Sequence, residues 1–241
     1  MRATILSVFV LAWVSACVGC GTRPAVEAPR RELADRLELE TVALVRFVNA
    51  DGEDSEAGYL RVFCAGTWVG SREILTAGHC VEAAAGMSPI GAEIKFSQRG
   101  EYDPGGMSSY WTGHVVGHNH GFDLSLIRAD VPPPGHLSAQ VAAGRVYAGD
   151  RVEVVGHPGG HVWSYSEGYV AAWRPSERNA DGDPMPTLQL QVPVIGGNSG
   201  GGAFDREGDL VGVCSYFERG FDADSFFVAR EALVAFLEAS R

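Results

Sequence analysis

Three short stretches carry side chains that could act together on a carbonyl. Val194-Ile195-Gly196-Gly197-Asn198-Ser199-Gly200-Gly201 places a serine in a glycine-dense turn. A serine hydroxyl is a weak nucleophile until a base takes its proton. Attack on a carbonyl also needs donors for the oxyanion that forms. Glycines on either side let the backbone turn sharply and offer N–H groups where a side chain would obstruct. Alone, the stretch is equally the composition of a plain hairpin turn. A base stands upstream in Leu75-Thr76-Ala77-Gly78-His79-Cys80, and a carboxylate in Phe122-Asp123-Leu124-Ser125-Leu126-Ile127. His79 precedes Asp123 by 44 residues, and Asp123 precedes Ser199 by 76. Nucleophile, proton carrier and orienting carboxylate together are the apparatus of acyl transfer.

The chain order His79, Asp123, Ser199 is that of chymotrypsin, not of subtilisins or α/β-hydrolases. On these three motifs, across roughly residues 40 to 241, the chain resembles the chymotrypsin-fold (trypsin-like) serine proteases. Gly197-Asn198-Ser199-Gly200-Gly201 with Asp205-Arg206-Glu207-Gly208-Asp209-Leu210-Val211-Gly212-Val213 is similar to the HtrA-type members, as is Gly149-Asp150-Arg151-Val152-Glu153-Val154-Val155-Gly156-His157-Pro158-Gly159-Gly160. Cys64 and Cys80 instead resemble the secreted trypsin-like enzymes, in which a disulfide ties the histidine loop to a neighbouring strand. HtrA-type proteins carry a PDZ domain, for which this sequence leaves no room after the core. The expectation is a stand-alone bacterial peptidase domain.

The resemblance implies further roles. The backbone N–H groups of Gly197 and Ser199 would form the oxyanion hole. Ser215 would support the aspartate and line the substrate strand, with Tyr216 where tryptophan is usual. Asn198 stands where trypsin-like zymogens place an aspartate that pairs with a newly freed N-terminus. No activation site of the Arg-Ile-Val-Gly-Gly kind lies upstream, so no activating cleavage is expected. Six residues before the serine, where trypsin carries an aspartate, this chain has Pro193, followed by Val194; a buried cation would be unpaired there. Cys214 stands where glutamyl endopeptidases use a histidine. Phe217 replaces a glycine that keeps many such pockets open. A pocket built from Pro193, Val194, Ser215, Tyr216 and Phe217 implies a small or medium apolar residue on the acyl side of the cut.

The elements that must position these groups read as all-β. Val42 to Val48, Tyr59 to Val69, Ile74 to Thr76, Ala92 to Ser97, His114 to Val116 and Phe122 to Ile127 are short apolar runs punctuated by Gly, Asp and Ser. Asp130 to Ala148, with Val131-Pro132-Pro133-Pro134-Gly135, cannot continue a strand and marks a crossing. Arg151 to Val155, Tyr169 to Trp173, Thr187 to Val192, Gly201 to Phe204 and Leu210 to Tyr216 repeat the rhythm. Ala229 to Ser240 reads as a closing helix with Ala229, Leu233, Phe236 and Leu237 on one face. The predicted fold is two six-stranded antiparallel β-barrels of the chymotrypsin-like kind with a C-terminal helix, the first over about 41–130 and the second over about 146–241.

The N-terminus reads as an export signal over residues 1–16. Arg2 gives the charge and Ile5 to Trp13 an apolar run too short to span a bilayer. It ends in Val14-Ser15-Ala16-Cys17, which resembles the lipobox of bacterial lipoproteins and implies a lipid on Cys17; Cys20 is a poorer candidate. Residues 17–40 read as a tether with a short helix. Export allows disulfides, and the unpaired Cys214, between apolar neighbours, reads as a buried thiol. The expected location is the periplasm or outer membrane, or outside the cell, with polypeptides as substrates. The formal charge of −11 argues against nucleic acid as a partner. No cofactor or metal is expected. The acids of the Asn179–Pro184 turn lack the spacing of a calcium loop, and His114, His118 and His120 offer no complete zinc set. The sequence leaves open an inactive binding module on the same fold, an esterase and an envelope lipoprotein scaffold.

Overall fold

The computed structural model describes residues 27–217 and 224–240 apart from 87, 101–108, 176, 179–181 and 183, and of residues 27–29 and 217 the backbone only. Residues 1–16, where an export signal is expected, Cys17, Cys20 and the acids of the 179–184 turn lie outside the described residues.

Among the described residues the β-branched and aromatic runs form twelve strands that close into two barrels. The first contains β1 (Thr41–Val48), β2 (Tyr59–Trp68), β3 (Glu73–Ala77), β4 (Glu93–Gln98), β5 (Trp111–Asn119) and β6 (Leu124–Ala129), in the spatial order β1-β2-β3-β6-β5-β4. β1 pairs antiparallel with β4 as well as β2, so the barrel has no free edge. The second contains β7 (Arg151–Gly156), β8 (Ser164–Arg174), β9 (Thr187–Gln191), β10 (Gly202–Phe204), β11 (Leu210–Phe217) and β12 (Asp224–Ala229), ordered β10-β11-β12-β9-β8-β7. The sequence pattern marks no strand where β12 lies. Its apolar half, Phe226-Phe227-Val228-Ala229, runs straight into the closing helix, so periodicity alone assigns its last residue to the helix. β8 likewise starts at Ser164, earlier than its apolar residues suggest, because pairing with β7 extends it through Ser166 and Tyr165.

Each barrel fills its own interior. Val42, Leu44, Trp68, Ile74, Phe96 and Ile127 pack in the first, and Val152, Val170, Leu190, Val211 and Phe227 in the second. A third apolar layer lies between them. Leu75, Leu124 and Leu126 of the first barrel meet Val155, Phe204, Val213 and Val228 of the second. Helix α3 (Arg230–Ala239) closes this layer with Leu233, Phe236 and Leu237.

Helix α1 (Glu27–Glu40) joins the same layer. The sequence gives it no core of its own, and it borrows one: Leu37 is fully buried there and Leu33 packs against it. Arg36 donates through Nη2 to the carbonyl of Gly208 at 2.8 Å and through Nε to Glu40 at 2.8 Å. Thr41 Oγ1 donates to the Leu37 carbonyl at 2.8 Å, turning the chain directly from α1 into β1. The short helix α2 (Gly78–Ala85) buries Cys80 and Val81, and the disulfide Cys64–Cys80 ties it to β2. In the chain-entropy account a loop of that length stabilises by about 3 kcal/mol.

Leu37 fills space in the layer that joins the barrels, so its truncation should act on the whole domain. Leu37→Ala is expected to lower unfolding free energy by about 2–5 kcal/mol, measured by urea denaturation. A change within about 0.5 kcal/mol, as at a surface position, would mean that α1 is only loosely attached.

Candidate active site

β3 delivers its chain into α2, so His79 stands on the first turn of a helix anchored by a disulfide. Its side chain is 44% exposed. β5 turns into β6 through His120-Gly121-Phe122-Asp123, and Asp123 sits at the end of that turn. Asp123 adopts φ 53°, one of two non-glycine residues with positive φ among the described residues. Such a conformation costs about 1–3 kcal/mol and persists where the surroundings impose it. Here Gly78 N–H donates to the Asp123 carbonyl at 2.8 Å, Asp123 N–H to the His120 carbonyl at 3.1 Å, and Phe122 N–H to Asn119 Oδ1 at 2.8 Å.

The strained backbone aims the carboxylate at α2. Asp123 Oδ2 accepts from His79 Nδ1 at 2.9 Å, and Oδ1 accepts from the His79 backbone N–H at 2.8 Å. The Ser215 hydroxyl donates to Oδ2 from the second barrel. Ser215 falls at a bulge in the β11–β12 pairing, between Cys214 and Tyr216, which turns its side chain out of the ladder. Burial alone would push the Asp123 carboxyl up. The His79 hydrogen bond and charge, the Ser215 hydroxyl and the His79 N–H outweigh it and hold the carboxyl below its ordinary value. Burial pulls His79 down, but the hydrogen bond and charge of Asp123, aided by the charge of Glu82, leave it raised. With Nδ1–H committed to an ionised carboxylate, the lone pair of neutral His79 is on Nε2.

Backbone contacts across the barrels tie the turn that carries Ser199 to the first barrel. The Ser199 carbonyl accepts from Ala65 N–H on β2 at 2.8 Å and lies 3.6 Å from Cys80 Sγ. Gly200 follows with φ +85°, and a Cβ there would come within 2.2 Å of both the Ala65 carbonyl oxygen and Thr76 Oγ1. Only glycine admits this approach of the serine turn to β2 and β3. Gly200 N–H donates to the Cys214 carbonyl, and Cys214 N–H to the Gly201 carbonyl, both at 2.8 Å.

The turn before Ser199 is equally constrained. Asn198 N–H donates to the Ile195 carbonyl at 3.2 Å, and Gly197 has φ +103°, the backbone of a type II turn. The Gly196 carbonyl accepts from Gly159 N–H at 2.8 Å. In a trans peptide C=O and N–H point oppositely, so the Gly197 N–H is turned away from the Gly159 loop. A Cβ on Gly197 would lie 2.2 Å from the His157 carbonyl oxygen. Asn198 is buried, with its Oδ1 against Gly156.

His157 is the residue whose importance the sequence did not disclose. Within Gly-His-Pro-Gly-Gly it reads as part of a turn beside the cleft, yet it is fully buried. Its Nε2 donates to the Val42 carbonyl of the first barrel at 3.0 Å, and its Nδ1 accepts from Trp163 N–H at 3.0 Å. Trp163 is the second residue with positive φ, and its Nε1 donates to the Thr41 carbonyl at 3.2 Å. Both ring nitrogens are satisfied only in the neutral Nε2–H form, and burial pushes the His157 pKa down to about 4. Cys214 behind the site is a free, buried thiol pushed up to about 12 by burial and the Asp123 charge.

Of the residues expected to shape a substrate pocket, Val194 and Ser215 are buried, Pro193 is exposed, and the Tyr216 ring stacks on Phe226 at 4.6 Å between centroids. The Phe217 side chain lies outside the described residues. A cavity of about 360 Å³ opens elsewhere on the first barrel, between Arg46, Asp54, Glu93 and Lys95, and touches none of the three site residues.

Comparison with known proteins places this geometry. The family model described as trypsin-like peptidase domain matches residues 64–213. A curated relative, "Serine protease HtrA-like" of Staphylococcus epidermidis, is 29% identical over 113 residues, covering 43% of this chain and 19% of that protein. The chain thus spans about a fifth of the length of the curated relatives it matches. Among solved structures, Rv3671c of M. tuberculosis H37Rv in its inactive form superposes with a TM-score of 0.66 at 17% identity, covering 90% of this chain and 94% of that one. The HtrA-type protease AlgW with decapeptide gives 0.67 at 16%, covering 87% and 66%.

His157 links stability to pH. In the unfolded chain it takes up a proton near pH 6.5; in the fold it refuses one until about 4. The unfolded state binds more protons across that window, so stability falls as the pH falls through it. Acidification from pH 7 to 4 is expected to remove on the order of 3 kcal/mol through this group. His157→Gln, whose amide donates and accepts without titrating, should flatten that part of the profile in urea titrations at several pH values. Identical slopes in the two proteins would dismiss the assignment.

Proposed function

The chain belongs to the family of trypsin-like peptidase domains, and on that premise we propose that it is a serine endopeptidase working through an acyl-enzyme. Ser199 Oγ attacks the scissile carbonyl while His79 Nε2 takes its proton. Asp123 holds the Nδ1–H tautomer and stabilises the imidazolium. The N–H groups of Gly197 and Ser199 receive the oxyanion, each such donor being worth about 10²–10³ in turnover. His79 then protonates the leaving amine, and water releases the acyl group by the same steps in reverse. The observation that carries this reading is the run of hydrogen bonds Ser215–Asp123–His79 beside a serine turn bonded to β2 through Ala65.

Asn198 supports activity without N-terminal processing. It is buried and neutral, so it requires no incoming ammonium. Polypeptide substrates are favoured by the decapeptide in the HtrA-type neighbour. The Cys64–Cys80 disulfide favours an oxidising, exported location, and the lipobox-like sequence before Cys17 favours attachment to the periplasm-facing membrane surface by a lipid. Among the described residues no helix is long and apolar enough to cross a membrane.

Ser199→Ala should abolish labelling by a fluorophosphonate probe and lower peptide hydrolysis by roughly 10⁴–10⁶-fold with the circular dichroism spectrum unchanged. Undiminished hydrolysis by that variant would remove Ser199 from the mechanism, and an unlabelled wild-type protein would favour the binding-module reading.

The specificity pocket offers no carboxylate at Pro193 and Val194, and the Ser215 hydroxyl is engaged by Asp123. We therefore expect cleavage after Val, Ala or Leu. A peptide-library profile dominated by Arg, Lys or Glu at that subsite would overturn this.

A further inference from the structure

His114, His118 and His120 do not act as one cluster. His114 turns to Asp130, with Nδ1 3.0 Å from Oδ1. His118 and His120 converge instead on Glu82 of α2, a residue that no local pattern groups with them. Glu82 Oε1 lies 2.6 Å from His120 Nδ1 and 3.1 Å from His118 Nε2.

The state of His118 points to a ligand. Its side chain is only 10% exposed. Nδ1 has its partner, the hydroxyl of fully buried Ser125 at 2.8 Å. Nε2 is buried, and its direction toward Glu82 is not that of a hydrogen bond, so it is left without a hydrogen-bond partner. A buried ring nitrogen without a hydrogen bond costs about 1–3 kcal/mol. With the Nδ1–H directed to Ser125, Nε2 carries a lone pair that is buried and unused beside a carboxylate oxygen, and a cation offset from the line between the two atoms would take both. Metal-bound histidines characteristically donate their second ring N–H to an oxygen in this way.

We propose that Glu82 Oε1, His118 Nε2 and His120 Nδ1 form a binding site for one divalent transition-metal ion of the zinc class, with solvent at the fourth position. All three donor atoms lie within 4.8 Å of one another. Zinc bonds to nitrogen and carboxylate oxygen are about 2.0–2.2 Å, so three such atoms can reach one ion with small side-chain movements. Two imidazoles select a zinc-class ion over calcium or magnesium, which prefer oxygen.

The placement gives the ion a consequence. Glu82 is three residues after His79 on α2, and His120 is three residues before Asp123 in the β5–β6 turn. Bound metal would clamp the segment carrying His79 to the segment carrying Asp123, independently of any substrate.

The test is titration of the untagged full chain, stripped by chelator and desalted, with Co²⁺ alone. We expect one Co²⁺ per chain, visible d–d absorption, displacement by one equivalent of Zn²⁺, and a Zn²⁺-dependent rise in Tm. Ser125→Ala should weaken binding about 10–100-fold; Glu82→Gln, His118→Ala and His120→Ala should weaken it further. His120 is exposed, so His120→Ala keeps the inference testable if the buried variants misfold. His79→Ala should retain the absorption. Absence of the band in the wild-type chain, its survival in His120→Ala, or its loss in His79→Ala would each overturn the site, the last by moving the metal to His79 itself. None of these readouts depends on peptidase activity.

Discussion

Leu75, Leu124 and Leu126 of the first barrel interlock with Val155, Phe204 and Val213 of the second in one apolar layer, closed by Leu233 and Phe236 of α3 and Leu37 of α1. These residues are near neighbours in sequence of the groups that matter. Leu75 precedes His79 on the same strand-to-helix path, and Leu124 directly follows Asp123. Val155 stands just before His157, and Val213 just before Cys214 and Ser215. Each fully buried large apolar side chain contributes about 1.5–3 kcal/mol, whereas each polar link across the barrels is worth about 1 kcal/mol net. The apolar layer therefore supplies the adhesion. The hydrogen bonds Ala65–Ser199, Ser215–Asp123 and His157–Val42 set the alignment within it.

That division of labour explains where strain and charge are tolerated. Asp123 and Trp163 both hold positive φ, a conformation that side chains other than glycine seldom adopt. Each lies at a seam between the barrels and is held by hydrogen bonds to neighbouring segments. Behind the serine turn the buried polar groups are neutral: His157 as imidazole, Asn198 as amide and Cys214 as thiol. The carboxylate beside them, Asp123, has donors at both oxygens. An unpaired charge in the same layer would cost several kcal/mol and loosen the alignment that the turn at Gly197 requires.

The loop between β7 and β8 takes part in this arrangement more fully than its composition suggests. Its His157 carbonyl presses on Gly197, its Gly159 N–H holds the Gly196 carbonyl, and its Trp163 indole reaches Thr41 of the first barrel. The backbone ahead of Ser199 is thus shaped by a segment some forty residues upstream, which is itself bonded to β1.

The sequence by itself determined the all-β class and the strand-free crossing at the triple proline, and its resemblance to the trypsin-like enzymes implied the partnership of Cys64 with Cys80. The first two are written in local chemistry: short β-branched runs, and proline where no strand can continue. It assigned no strand to β12 and gave that strand's last residue, Ala229, to the final helix, because a buried strand and a buried helix turn have the same apolar composition. It left His157 in a turn beside the cleft and Glu82 without histidine partners, because neither burial nor convergence is a local property. Only the tertiary structure decided them. Burial of a histidine depends on which strands close above it, and the meeting of Glu82 with His118 and His120 depends on the packing of α2 against the end of β5 and the turn after it, 36 and 38 residues away along the chain.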